Sequence, residues 1–371
     1  MFEDLKLPAG IIPNDGRFGS GPSKVPTEFL DKLQQSGKSI LGNSHRNPII
    51  LDLVKRCQDK LKSYLNVPAD YQILLGNGGA SIIWEMLGFS VVKEKSAHFA
   101  CGEFSSKWHS LTKAMPWLKA EKFESDYGTL PELNYSGDAD LIAITQNETS
   151  TGVMIPGCPS FNHDALLCVD ATSIAGVTQW NFDKTDLYYF SLQKAFGSEG
   201  GLFFGIASPK FIQRVEEMKS SRYIPNMMSF SEVVANSEKN QTLNTPSLTT
   251  LFFLECALDE LISRGGIVAV EKESKEKANF LYSFAENSKY MSPYVKNIEF
   301  RSLSVATLDL ADEVNANDLV KAFRKNGIYD INSYRKLGRN QIRIGIFPFV
   351  NFDDVKKLTQ CLEYTFATIL K

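Results

Sequence analysis

The sequence is poor in histidine. It has four in 371 residues, at positions 45, 98, 109 and 163, and their spacing matches no metal-ligand pattern. A zinc site is therefore not expected. Six cysteines (57, 101, 158, 168, 256 and 361) are scattered, with no Cys-x-x-Cys pair. Cys168 and Cys256 lie in apolar stretches and read as buried hydrophobes, which is the usage of a reduced cytoplasmic protein. No apolar run approaches the ~20 residues of a membrane span. The opening residues Met1-Phe2-Glu3-Asp4-Leu5 lack the basic and apolar regions of a signal peptide. Charge of neither sign dominates: 40 Lys and Arg stand against 43 Asp and Glu. With no basic tail or arginine stripe, a nucleic-acid partner is not expected. No internal repeat or low-complexity segment is evident.

What is present is a series of short apolar runs: Tyr71–Leu75, Ala97–Cys101, Leu141–Thr145, Ala165–Val169, Leu187–Ser191 and Leu202–Ala207. Most are continuous rather than alternating, the mark of strands buried on both faces of a mainly parallel sheet. Helical patterns precede or separate several of them: Thr27–Gln35, Pro48–Leu65, Ser81–Phe89 and Ser105–Lys113. The fold class is α/β. A long helical pattern, Ser247–Arg264, stops at Gly265-Gly266. A smaller α+β unit follows, with helix Val268–Asn287, strand Ser304–Leu310, helix Ala316–Asn326, strand Gln341–Phe347 and helix Asp353–Leu370. We divide the chain into an irregular arm (1–25), a large domain (26–260) and a small domain (261–371).

Sites in such sheets lie outside the C-terminal ends of the strands. Two ionisable residues occupy that position. Lys194 follows the run Leu187–Gln193, and Asp170 closes Ala165–Asp170. Burial disfavours an ammonium, so Lys194 can be a nucleophile near neutral pH. A lysine for an aldehyde and a carboxylate for a pyridinium nitrogen are what a pyridoxal phosphate site needs.

The other features are individually open. Gly76-Asn77-Gly78-Gly79-Ala80-Ser81, between a strand and a helix, suits a phosphate cradle or a turn that needs glycine. It is neither a dinucleotide fingerprint nor a Walker loop. Phe104 can stack on a flat cofactor or pack beneath a loop. Asn147-Glu148-Thr149 can offer a hydroxyl or simply cap a turn. Arg46, Arg335 and Arg339 can grip anions or sit solvated. Arg343 lies inside the apolar strand Ile342–Phe347, where a guanidinium needs a partner.

Taken together the segments resemble the phosphoserine aminotransferases, class V members of the fold-type I pyridoxal phosphate enzymes. The matching segments are Phe18–Lys24, Ser44-His45-Arg46, Gly76–Ala80, Asn147–Gly152, Val169–Ser173, Gln193-Lys194, Asn244-Thr245-Pro246 and Tyr334–Arg339, in family order. The resemblance implies a homodimer with shared active sites. It also implies that Lys194 bonds the cofactor aldehyde, Asp170 pairs with the ring nitrogen, Phe104 stacks on the ring and Thr149 meets the ring hydroxyl. Gly79, Ala80 and Gln193 would hold the phosphate, with Asn244 and Thr245 arriving from the neighbouring subunit. Ser20 and Arg46 match amino-acid positions; His45, Arg335 and Arg343 match substrate-anion positions. The implied reaction moves an amino group between L-glutamate and 3-phosphohydroxypyruvate in L-serine biosynthesis, with pyridoxine biosynthesis as a possible second use.

Three positions depart from the family. Ala80 stands where many members carry arginine, Phe104 where many carry tryptophan, and Tyr334 where many carry histidine. Arg339 is the expected source of the charge that Ala80 lacks. Three rival readings make different demands on the sequence. A desulfurase needs a cysteine on a mobile loop, and a serine–glyoxylate or alanine-type aminotransferase needs fewer anion-binding residues. A nucleotide-binding module built on Gly76–Gly79 needs an acidic residue after the next strand, where the chain has Ala100-Cys101.

Overall fold

A computed structural model describes residues 2, 4–161 and 164–369. His163 and Leu370 lie outside the described residues. The strands are β1 (Gln72–Asn77), β2 (Lys95–Ala100), β3 (Lys119–Glu124), β4 (Leu141–Thr145), the short hairpin β5 (Asn147–Glu148) and β6 (Val153–Met154), β7 (Leu166–Asp170), β8 (Leu187–Ser191) and β9 (Leu202–Ala207). Seven of them form one sheet in the order β1-β9-β8-β7-β4-β2-β3. Only β9 runs antiparallel to its neighbours; the other adjacent pairs are parallel. Strands β4, β7, β8 and β9 are buried along their whole length, as their continuous apolar sequences require. Strand β3 escapes a sequence reading because Lys119-Ala120-Glu121-Lys122-Phe123-Glu124 is charged. It lies at the sheet edge, where such residues discourage pairing with another chain.

The helices are α1 (Thr27–Ser36), α2 (Pro48–Tyr64), α3 (Ile82–Ser90), α4 (Glu103–Lys113), α5 (Pro209–Met218), α6 (Phe230–Ser237), α7 (Leu248–Ser263), α8 (Gly266–Glu286), α9 (Ala316–Lys325) and α10 (Phe352–Ile369). Local chemistry fixes several starts. Asn47 caps α2 through Ile49 N–H with Pro48 in the first turn, and Ser247 caps α7 through Thr250 N–H. No described helix is long and apolar enough to cross a membrane. Two apolar layers cover the sheet. One holds α2 and α7 residues such as Leu53, Leu61, Leu251 and Leu258; the other holds Trp84, Leu87, Trp108 and Phe211.

The C-terminal unit has its own core around an antiparallel sheet, β10 (Met291–Pro293), β11 (Val305–Leu310) and β12 (Gln341–Gly345). Helix α8 serves both cores. Ile267 and Val270 pack into the large one, and Ala278, Leu281 and Tyr282 into the small one. On this packing we propose a division within α8, between Val270 and Ala278, rather than at the expected boundary of 260.

The N-terminal arm is ordered by this second unit. Phe2, Leu7 and Phe18 are buried in its core. Tyr329 N–H donates to Gly16 O at 2.7 Å, and Gly345 N–H donates to Phe18 O at 2.8 Å. The arm then crosses to the main sheet, where Ser23 N–H donates to Gln193 O at 2.7 Å. A Cβ at Gly345 would stand 2.3 Å from Gly19 O, so only glycine lets the arm run this close. Gly345→Ala should lower stability by about 2 kcal/mol through overpacking against rigid backbone. The urea midpoint measures this, and an unchanged midpoint would mean that the arm is free to shift.

Candidate active site

Because β9 is antiparallel to both neighbours, β1 and β8 point the same way as β7, β4 and β2. These five strands, with β3 beside β2, therefore all end on one edge of the sheet. A cavity of about 270 Å³ opens there. After β1 come Gly79 and Ala80; after β2, Phe104. Thr145 ends β4, with Asn147 and Thr149 just beyond. Asp170 ends β7, followed by Thr172 and Ser173. Ser191 ends β8, followed by Gln193 and Lys194. Gly21 and Pro22 of the arm close the cavity.

Lys194 is 8% exposed, and its Nζ donates to Ser20 O at 2.7 Å. Burial, reinforced by the nearby Arg343 charge, lowers its pKa to about 7, against a partial restoring pull from Asp170 and Glu148. A large part of this amine is thus uncharged near neutral pH. Gly21 permits the contact: a Cβ there would stand 1.9 Å from Nζ. Asp170 is 4% exposed. Its Oδ1 accepts from Thr172 N–H at 3.0 Å and Thr172 Oγ1 at 2.6 Å, and its Oδ2 accepts from Trp84 Nε1 at 3.0 Å. Burial raises its pKa, while these three donors oppose the rise. A cation placed against this carboxylate would favour its ionised form.

Glu148 is fully buried between the strand ends and the start of α4. It accepts from Phe104 N–H, Ser105 N–H and Ser105 Oγ at 3.2, 3.0 and 2.8 Å, and from Ser150 Oγ at 2.6 Å. A carboxylate suits a helix N-terminus, and here it fixes where Phe104 sits. Phe104 lies 5.7 Å from the Tyr334 ring. Arg343 donates from Nη1 to Thr149 O at 2.9 Å and lies 5.4 Å from the Tyr334 ring centroid. Thr149 Oγ1 donates to Ser173 Oγ at 2.8 Å.

The expected residues separate into two groups. Gly79, Ala80, Phe104, Thr149, Asp170, Gln193 and Lys194 line one cavity. Ser20 and Arg343 reach it through Lys194 and Thr149. Arg46, Arg335, Asn244 and Thr245 are exposed in the single chain. His45 Nδ1 lies 3.4 Å from Thr245 Oγ1, and Asn244 N–H donates to Asn77 Oδ1 at 3.0 Å. Arg339 does not occupy the place expected of it. Its guanidinium donates to both oxygens of Asp309 at 3.1 and 2.8 Å and stacks on Tyr294 at 4.6 Å, so its charge is already neutralised away from the cavity. None of the six cysteines lines the cavity, which leaves the desulfurase reading without a nucleophile.

Sequence reasoning missed two supports. Trp84 lay hidden as one more apolar residue of α3. Glu148 is the middle residue of Asn147-Glu148-Thr149, and an acidic residue directly after a buried strand is its available signal.

The cavity suits a pyridine ring carrying a phosphate. Thr145 Oγ1, Asn147 Oδ1, Ser191 Oγ and Gln193 Oε1 are buried there with no hydrogen-bond partner among the described residues. Such groups are costly unless a ligand satisfies them. The N–H groups of Gly79, Ala80 and Ser81, at the start of α3, have no backbone acceptor among the described residues. Nothing lies within 4 Å of where a Gly79 Cβ would be. Anions bind at such helix starts.

The profile of the aminotransferase class-V family matches residues 17–331. The chain belongs to this family. A phosphoserine aminotransferase of Rhodococcus jostii (strain RHA1) is 40% identical over 366 residues, covering 98% of each chain. The crystal structure of a phosphoserine aminotransferase from Cytophaga hutchinsonii matches with a TM-score of 0.88 at 26% identity, over 94% of this chain and 99% of that one. A PLP-bound phosphoserine aminotransferase from Trichomonas vaginalis shares the fold, with a TM-score of 0.84 at 20% identity over 94% of this chain and 100% of that one.

The buried Lys194 yields a pH signature. In the ligand-free protein, burying the Lys194 ammonium costs stability in full below pH 7. The cost fades as pH rises from about 7 towards the ordinary lysine value of 10.5. Lys194→Met should therefore be more stable than wild type below pH 7, by at most about 1.4 kcal/mol per unit of depression. The advantage should shrink as pH rises. Denaturant melts at several pH values test this; parallel pH profiles would overturn it.

Proposed function

We propose that the protein is a pyridoxal 5'-phosphate-dependent phosphoserine aminotransferase. It transfers an amino group reversibly between L-glutamate and 3-phosphohydroxypyruvate, giving 2-oxoglutarate and O-phospho-L-serine. The observation that carries this reading is the meeting of Lys194, its pKa lowered to about 7, and hydrogen-bonded Asp170 in one cavity whose buried polar atoms lack partners. The full-length similarity to the Rhodococcus jostii enzyme supports the substrate assignment.

When bound, pyridoxal phosphate supplies an aldehyde that bonds an amine and a ring that draws electrons from the substrate Cα. The residues of the chain do the rest. Lys194 Nζ would hold the cofactor and, once released from it, would be the base that takes the substrate Cα proton. Asp170 is assigned to hold a proton at the ring nitrogen, with Trp84 and Thr172 keeping its carboxylate oriented. Phe104 is assigned one face of the ring, held there by Glu148. Gln193 and the N–H groups of Gly79 and Ala80 are assigned the phosphate, and Thr149 the ring hydroxyl. Arg343 is assigned the substrate carboxylate; Ser20, His45, Arg46 and Arg335 complete the substrate set.

A homodimer with shared active sites, working in the cytoplasm, belongs to the same proposal. Asn244 and Thr245 are exposed and absent from the lining of their own chain's cavity, which leaves them free to serve a second copy.

The purified protein should be yellow, and O-phospho-L-serine should bleach the colour. A yellow protein unaffected by phosphoserine would move the substrate assignment to another amino acid, and one that stays colourless with added pyridoxal phosphate would overturn the cofactor assignment. Steady-state kinetics should give parallel double-reciprocal lines, because the amino group waits on the enzyme between half-reactions; intersecting lines would count against this. Lys194→Ala should abolish turnover yet still bind the cofactor. Asp170→Ala should lose both turnover and cofactor affinity, as judged by spectral titration.

A further inference from the structure

The first turn of helix α4 brings Phe104 to the cavity, and Lys107 is one turn further along the same helix face. Its Nζ donates to the Tyr334 hydroxyl at 3.1 Å. It also lies 5.2 Å from the Phe104 ring centroid and 5.8 Å from that of Tyr334. Arg343 lies against the same Tyr334 ring, at 5.4 Å. Two cations therefore share one aromatic ring beside the cavity. The Arg343 Nε is buried and without a partner among the described residues.

No carboxylate neutralises Lys107 within ion-pair distance among the described residues. Glu103, one helical turn before it, is the obvious candidate. It is already engaged, pairing with Lys336 at 3.4 Å and accepting from the Tyr127 hydroxyl at 3.2 Å. Arg339, the expected source of the charge that Ala80 lacks, is bound to Asp309, while Arg46 and Arg335 are exposed in the single chain. Ala80 carries none.

We propose that Lys107, positioned by Tyr334, receives the phosphate end of the substrate while Arg343 holds its carboxylate. The inference rests on the functional reading above, that the substrate is a phosphorylated amino acid. It makes Lys107 a specificity-determining residue of that same site. The chemistry is direct. An ammonium is a compact point charge that suits a phosphate oxygen, whereas the planar guanidinium matches a carboxylate. The Tyr334 hydroxyl accepts from Lys107, so its own proton is free to be donated to a second anion oxygen. A short molecule with a carboxylate at one end and a phosphate at the other fits two cations that share a ring. An unphosphorylated amino acid gains nothing from the second cation.

The test uses the cofactor-loaded enzyme with Lys107→Met and Lys107→Arg. The ratio of kcat/KM for O-phospho-L-serine to that for L-alanine should fall roughly ten-fold or more in Lys107→Met, through KM rather than kcat. Lys107→Arg should keep the ratio within about three-fold, because the charge remains. Calorimetric titration with 3-phosphoglycerate, which has both anions but no reacting amine, should show a matching rise in Kd for Lys107→Met. Equal losses with both amino acids, or an unchanged ratio and Kd, would overturn the proposal. A wild-type enzyme that ignores O-phospho-L-serine would instead overturn the substrate reading, and the 3-phosphoglycerate titration would still decide whether Lys107 binds the anion.

Discussion

The site is organised around one constraint: an amine must sit where water cannot stabilise its charged form. Lys194 meets it because three pieces of chain close over one strand end. The sheet edge supplies the floor, Arg343 adds a like charge, and Ser20 and Gly21 of the arm form the lid. The small C-terminal unit matters to this chemistry through the arm. Its core buries Phe18, and Gly345 fixes the backbone beside it, so packing far from the cavity sets how tightly Lys194 is enclosed.

The charged groups around the amine are arranged by burial and hydrogen bonding more than by direct ion pairing. Asp170 is held by one indole and one threonine, and Glu148 by the first N–H groups of α4 and the serines beside them. Neither carboxylate touches a basic side chain among the described residues. Each is satisfied by neutral donors, which orient it without quenching its charge. Asp170 therefore keeps its capacity to pair with a ligand cation. Arg343 is likewise tied to a carbonyl oxygen rather than a carboxylate, which leaves its charge available to a substrate anion.

Much of the fold was legible because burial on both faces writes itself into sequence as continuous apolar runs. Strands β4, β8 and β9 fall where those runs lie. Strand β3 was not, because an edge strand carries charges that resemble a loop. Helices α5 and α6 lie outside the expected elements, although Ser208 and Ser229 cap them in recognisable fashion. Within the site, Lys194 and Asp170 stood out because a charge that ends an apolar strand is chemically conspicuous. Trp84 and Glu148 did not, since each has an ordinary local explanation, as a core residue and as a turn residue.

By itself the sequence determined the strand order along the chain, the lysine and the carboxylate at strand ends, and the glycine loop before α3. These are local properties, set by side-chain hydrophobicity and backbone freedom within a few residues. It could not determine which distant charges neutralise one another. Arg339 and Lys107 look alike as isolated cations, yet Arg339 pairs with Asp309, while Lys107 has no carboxylate within ion-pair distance among the described residues and Glu103 pairs with Lys336 instead. Pairing depends on a few ångströms of separation between residues far apart in the chain, and only the tertiary structure decides those distances.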